Sequence, residues 1–192
     1  RQLRDGTTRL KKDGEIIHHH SGVAGFAEYA VLPKEALVRI DKHIPFEHAA
    51  LFGCGVVTGV GAVINTASAR EEDSIAIVGL GGVGLSALLA SIAIGSKKTI
   101  AIDLSNEKLN LAHELGADHI LNPNDANFLE RVRDLTSGGA NIAIETAGSG
   151  RALKTAYDIT RRGGTTVAAG MPGPKVDICL LYTSDAADDS LR

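Results

Sequence analysis

Six residues constrain this chain more than any others. Gly79-Leu-Gly-Gly-Val-Gly84 is a Gly-x-Gly-x-x-Gly pattern, placed directly after the apolar run Ser74-Ile-Ala-Ile-Val78 and at the head of an uncharged stretch of helical length. A strand, a tight turn and a helix N-terminus are the context in which this pattern carries chemistry. Gly79 permits the turn, Gly81 lets the backbone approach a diphosphate, and Gly84 lets the helix pack close to the strand. Leu80, Gly82 and Val83 complete the loop, and the first N–H groups of the helix are left free for an anion.

A second acid supports the same reading. Asp103 closes the next apolar run, Thr99 to Asp103, at about the 20-residue interval expected of a dinucleotide fingerprint. A carboxylate there accepts two hydrogen bonds from the adenosine ribose and repels the 2′-phosphate of NADP, which points to NAD. Three alternatives stay open on residues alone: a plain glycine-rich turn, Asp103 as a cap of the following helix, and an adenosylmethionine-dependent methyltransferase. The methyltransferase shares the sheet and the acid but does not need the three-glycine spacing.

From Ile75 onward short apolar runs alternate with amphipathic stretches that end in glycine, the pattern of repeated βα units around a parallel sheet. The spacing predicts strands at 74–78, 99–103, 118–121, 141–145 and 165–169. Helices are expected over 82–95, from an N-cap at Ser105 to Gly116, over 125–135 and over 151–160, with a turn at Arg161-Arg-Gly-Gly164. Upstream, residues 26–32 and 37–40 read as strands of a different, β-rich domain. Pro45 to Thr66 reads as a helical stretch broken at Gly53-Cys-Gly55, followed by the polar link Ala69 to Asp73.

Composition narrows the partners. The chain has 192 residues, a net charge of -3 from 20 basic and 23 acidic side chains, and no block of like charge, which gives no sign of a nucleic-acid or anionic-membrane partner. A small molecule is the expected ligand. The run Ser74 to Gly95 has no charged residue over a length that raises the question of a membrane span, but its glycines divide it into strand, turn and helix. Cys54 and Cys179 form neither a disulfide framework nor a zinc-knuckle spacing, which suits a reducing, cytoplasmic compartment. The chain opens at Arg1 with no visible targeting peptide and is expected to be an internal fragment.

Three further features are ambiguous by themselves. Cys54 stands among small and apolar residues, where an isolated cysteine is ordinarily a buried hydrophobe. His18-His-His20 is read as a polar loop rather than a metal site, since adjacent histidines on a regular element cannot all face one ion. Lys108 is either a solvated helix-face charge or a second contact near Asp103.

The segments Ala50-Leu-Phe-Gly-Cys-Gly-Val-Val-Thr-Gly59, Ile77-Val-Gly-Leu-Gly-Gly-Val-Gly-Leu-Ser86 and Asn106-Glu-Lys-Leu resemble the zinc-dependent alcohol dehydrogenases of the medium-chain dehydrogenase/reductase family. The resemblance runs from about Asp5 to about Pro174, and Asp5-Gly-Thr7 with His18-His-His20 is similar to a loop of that family's GroES-like catalytic domain. It implies that Cys54 is a ligand of a catalytic Zn2+ and that Thr58 lies against the nicotinamide of NAD. It further implies that Val83 packs behind that ring, that Asp103 and Lys108 hold the adenosine ribose, and that the backbone near Ala169 meets the carboxamide. The implied reaction transfers hydride between an alcohol or aldehyde and NAD, in a parent expected to be a homo-oligomer that touches neither membrane nor nucleic acid.

The resemblance also sets the expected organisation. Residues 1–70 would be the C-terminal part of the GroES-like domain plus a linking helix, and 71–178 a doubly wound α/β (Rossmann) domain lacking its last strand. Residues 179–192 would be a tail foreign to the family, read as translated adapter sequence, with a genuine polar tail as the alternative. The other zinc ligands of the family fall upstream of the region where Arg1 begins, and one ligand cannot build a zinc site. The fragment alone is therefore expected to be inactive. Two other parents remain: a zinc-free quinone or enone reductase of the same superfamily, against which Cys54 and Asp103 argue, and a module that binds NAD without chemistry.

Overall fold

Ser74–Val78 is enclosed along its whole length, as a β-branched strand flanked on both faces must be. Ile75 and Ile77 point to one side, with Leu88, Leu109 and Ala112. Ala76 and Val78 point to the other, with Phe128, Val132 and Ala156. This alternation makes the strand the centre of a three-layer α/β unit in a computed structural model of the chain, which describes residues 6–18, 25–26, 28–32 and 34–173.

In chain order the elements are β1 (Leu10–Lys12), β2 (Glu15–Ile17), α1 (Phe46–Leu51), α2 (Val57–Gly61), β3 (Ser74–Val78), α3 (Gly82–Ala93), β4 (Lys98–Ile102), α4 (Asn106–Glu114), β5 (His119–Leu121), α5 (Phe128–Thr136), β6 (Ala140–Glu145), α6 (Gly150–Ile159) and β7 (Thr160–Ala168). Strands β3 to β7 form one sheet in the order β5-β4-β3-β6-β7, with every pairing parallel. The chain starts at the middle strand, builds outward to β5, then crosses back to β6. The order therefore reverses beside β3, and the carboxyl ends of β3, β4 and β6 open a crevice there, where doubly wound sheets bind ligands.

Local chemistry sets the helix ends close to where the sequence predicts, except that α5 starts at Phe128 rather than at 125, because Asn127 takes a left-handed φ of +61°. Ser105 accepts the Lys108 N–H at the start of α4 and Ser149 accepts the Ala152 N–H at the start of α6. Gly116 takes a φ of +105° just past α4, and Ser137 takes the left-handed conformation at the end of α5. Residues 161–164 do not form a free turn ahead of the last strand. They lie within β7 as an irregularity, because pairing passes from Ala140–Thr160 to Ile142–Thr165 across a register shift.

Two upstream expectations are corrected. The described residues of 26–32 and of 37–40 are not strands, and Phe26, Tyr29, Val31 and Val38 are exposed. Apolar alternation marks a face, but a strand also needs an edge to pair with, and the described residues offer these segments none. The strand pair that does form is β1–β2, closed by Asp13-Gly14 with both residues at positive φ, as the right-handed twist of a two-residue hairpin demands.

The second correction concerns residues 46–66. Gly53-Cys-Gly55 does not break the helix; Phe46–Thr66 is one helical stretch in which α1 and α2 are followed by π-turn segments, Phe52–Val56 and Ala62–Thr66. The Ala67 N–H reaches Ala62 O at 2.9 Å, the five-residue span of a π-turn, which widens a helix without ending it. Its inner face, Gly59, Ala62 and Val63, is buried. A Cβ on Gly59 would stand 2.2 Å from Val83 O, so this stretch meets α3 backbone to backbone. The chain accordingly divides into two compact units between Pro45 and Phe46, ahead of the polar link at 69–73 where the sequence suggests a boundary.

Ser74 to Gly95, the uncharged run, is a strand, a turn and a twelve-residue helix. Among the described residues the stretch long and apolar enough by length and composition to cross a membrane is Phe46–Thr66, with a mean hydropathy of 1.6 over its most apolar window. The expected tail, 179–192, and His19 and His20 lie outside the described residues.

Candidate functional site

The glycine turn is bent by the end of β3. Gly79 holds a φ of +97° and donates its N–H to Ile102 O at 2.8 Å, which seats the turn on β4. A Cβ at Gly79 would strike Ala147, and one at Gly84 would lie 1.9 Å from Gly79 O, so both positions exclude a side chain by contact. Gly81 and Gly82 differ: a Cβ on either meets nothing within 4 Å. These two glycines leave bare backbone facing open space at the N-terminus of α3, where helical N–H groups carry partial positive charge.

Asp103 stands beside that opening. Its Oδ2 accepts the Leu80 N–H at 2.7 Å and its Oδ1 accepts the Ser105 N–H at 2.9 Å. Lys108 Nζ lies 3.9 Å from Asp103 Oδ2, with half of its side chain exposed, so the pair is worth at most about 1 kcal/mol to folding. Asp103 thus fixes the backbone just ahead of α4 without capping it, since Ser105 is the N-cap, and its carboxylate lines a cavity of about 360 Å³. Val78, Gly79, Leu80, Gly81 and Lys108 line the same cavity.

The far wall comes from residues the sequence did not single out. Thr146 and Ala147 follow β6, and Ser149, Arg151 and Thr155 belong to the start of α6; all five line the cavity. Arg151 donates to Asn124 Oδ1 at 2.5 Å. The signal for this wall was present in the order of elements, since the βα loop after the fourth strand must face the loop after the first at a topological switch point.

The remaining candidates fall at varying distances from this cluster. Ala169 follows β7 and donates its N–H to Glu145 O at 2.8 Å, which places it at the carboxyl edge of the sheet. Val83 is half-buried in the first turn of α3, against Gly59, and Thr58 precedes that contact on α2. Cys54 lies in the first π-turn as a free, exposed thiol rather than a core residue. Among the described residues no three histidine, cysteine, aspartate or glutamate side chains come close enough together to hold a metal ion.

Residues 82–187 match the family model described as zinc-binding dehydrogenase, a span that starts at α3 and runs beyond the described residues. The chain belongs to the zinc-binding dehydrogenase family. An S-(hydroxymethyl)glutathione dehydrogenase of Escherichia coli (strain SMS-3-5 / SECEC) is 35% identical over 177 residues, covering 91% of this chain and 48% of that protein. Among solved structures, an alcohol dehydrogenase zinc-binding domain protein from Burkholderia ambifaria superposes with a TM-score of 0.81 at 35% identity, over 92% of this chain and 49% of its own. Benzyl alcohol dehydrogenase from Acinetobacter calcoaceticus gives 0.75 at 34% identity, over 82% and 44%. The chain spans about half the length of the curated relatives it matches.

Proposed function

We propose that this chain is the coenzyme-binding part of an NAD-linked alcohol dehydrogenase, with alcohols and aldehydes as the substrate class. The observation that carries the reading is the pairing of open backbone at Gly81 with the Asp103 carboxylate in one cavity. Bare N–H groups at a helix start suit a diphosphate, and an acceptor-only carboxylate at the end of the second strand suits a ribose diol. Gly79, Leu80, Gly81, Gly82 and Gly84 would hold the diphosphate, Val83 would pack behind the nicotinamide, and Asp103 and Lys108 would hold the ribose. Ala169 and Thr58 would face the nicotinamide.

Bound in this way, NAD supplies a hydride acceptor. The protein's part is to fix the coenzyme's adenosine end so that its reactive ring has one place to lie, which removes most of the orientational cost of the transfer. The zinc half of the reading rests on the family and on Cys54, since the described residues hold no set of ligands. A small-molecule substrate, a homo-oligomeric whole protein and a cytoplasmic setting without membrane or nucleic-acid contact belong to the same proposal.

Titration of the purified chain with NADH and NADPH, followed by nicotinamide fluorescence, tests the coenzyme assignment. Tight NADH binding with weak NADPH binding is expected; the reverse order, or no binding, overturns it. Zinc content of the full-length protein tests the metal. Stoichiometric zinc lost together with alcohol oxidation on chelation is expected, whereas a zinc-free protein that reduces quinones or enones would make it the other branch of the superfamily.

A further inference from the structure

The peptide unit joining Gly79 to Leu80 is held at both ends. Its carbonyl oxygen accepts the Thr146 hydroxyl at 2.7 Å, and its N–H donates to Asp103 Oδ2 at 2.7 Å. A peptide unit is planar, so the two contacts fix one orientation between them. Turning the carbonyl away from Thr146 swings the N–H away from Asp103. The unit follows a glycine at φ +97°, a residue with little torsional resistance of its own, so the anchors rather than local sterics set the plane.

Thr146 is itself well seated for this task. Its backbone N–H donates to Val78 O at 2.9 Å, continuing the β3–β6 ladder one residue past the strand ends. Next to it, Ala147 is the residue against which Gly79 packs. The hydroxyl also lies 3.3 Å from Val78 O, a longer and secondary contact. On the other side, Asp103 has one oxygen on Leu80 and the other on Ser105, so releasing the Leu80 N–H leaves the carboxylate free to rotate about its remaining bond.

We propose that Thr146 is a positioning residue for coenzyme selectivity: its hydroxyl holds the 79–80 peptide, and through it the Asp103 carboxylate, in the orientation that accepts a ribose diol and rejects a 2′-phosphate. This rests on the NAD reading above. Thr146 acts at one remove, so the consequence is specific. Loss of the hydroxyl changes the ratio of NADH to NADPH affinity, whereas a residue that merely supports the fold weakens both coenzymes alike.

Thr146→Ala and Thr146→Ser differ only in the hydroxyl oxygen and are compared in the full chain by NADH and NADPH titration at constant ionic strength. The alanine variant is expected to bind NADH about 5- to 10-fold more weakly while NADPH changes less than about 2-fold, the effect of one lost hydrogen bond between neutral groups. The serine variant should restore the ratio. An unchanged ratio in the alanine variant, or a serine variant that fails to restore it, overturns the proposal and leaves the coenzyme reading standing. Absence of binding by the unaltered chain overturns both. Should the alanine variant not fold, Thr146→Cys keeps the side-chain bulk with a weaker donor, and the same shift in ratio supports the proposal while an unshifted ratio refutes it.

Discussion

Leu80 donates its backbone N–H to the Asp103 carboxylate at 2.7 Å, which makes the turn after β3 and the end of β4 a single hydrogen-bonded piece. The acid proposed to read the ribose is thereby also part of the loop proposed to receive the diphosphate. Asp103→Asn should weaken NADH about 10-fold and narrow the preference over NADPH, since an amide keeps one acceptor and loses the charge. Equilibrium titration of both coenzymes checks this, and an unaltered preference would remove Asp103 from the site.

Gly81→Val separates binding from folding. With nothing within 4 Å of the added carbon, the variant should melt within about 2 °C of the unaltered chain, the noise of a surface change. The valine methyls would occupy the space assigned to the diphosphate, so NADH binding should fall at least about 100-fold. A folded variant that binds as before would sink the fingerprint assignment.

Gly59→Ala should do the opposite. A methyl 2.2 Å from Val83 O forces the 46–66 stretch away from α3, at a cost of about 1–3 kcal/mol in urea unfolding. Stability equal to that of the unaltered chain would mean that the two helices separate easily.

Asn141→Ala serves as a control at the far end of the sheet. Asn141 Oδ1 accepts both the N–H and the hydroxyl of Ser74, at 3.1 and 2.7 Å, where β3 and β6 begin. Removing it should cost about 1–3 kcal/mol, with NADH affinity unchanged in the folded variant. Altered affinity would show that the two ends of the strands are coupled.

The sheet and its crevice were legible because they are written in short-range signals. Apolar runs, the Ser105 cap, Gly116 and the three-glycine spacing each act within a few residues, and the structure puts β3, β4, β6 and α3 where they indicate. Thr146 and Arg151 carry no local signal: their place in the cavity follows from the order of elements, through a strand crossing to the other side of β3, rather than from their neighbours in the chain. Cys54 misleads from composition alone: its apolar surroundings suggest a core position, yet it is exposed. Its ligand role enters only by resemblance. The strands expected at 26–32 and 37–40 find no partner among the described residues, while the Asp13-Gly14 hairpin carries a plain turn signal.

The parallel pairing of β3 with β6 has a consequence for how the chain is made. Ser74 and Asn141, which bond to each other at the head of that pair, are 67 residues apart, and β3 pairs with β6 along one of its edges. A ribosome adding roughly 5–20 residues per second takes about 3–13 s to cover that interval. Throughout that time an apolar strand destined for the centre of the sheet has one edge bare. The emerging chain therefore passes through a window in which a chaperone, or another nascent copy, competes with its own β6 for the same row of amides.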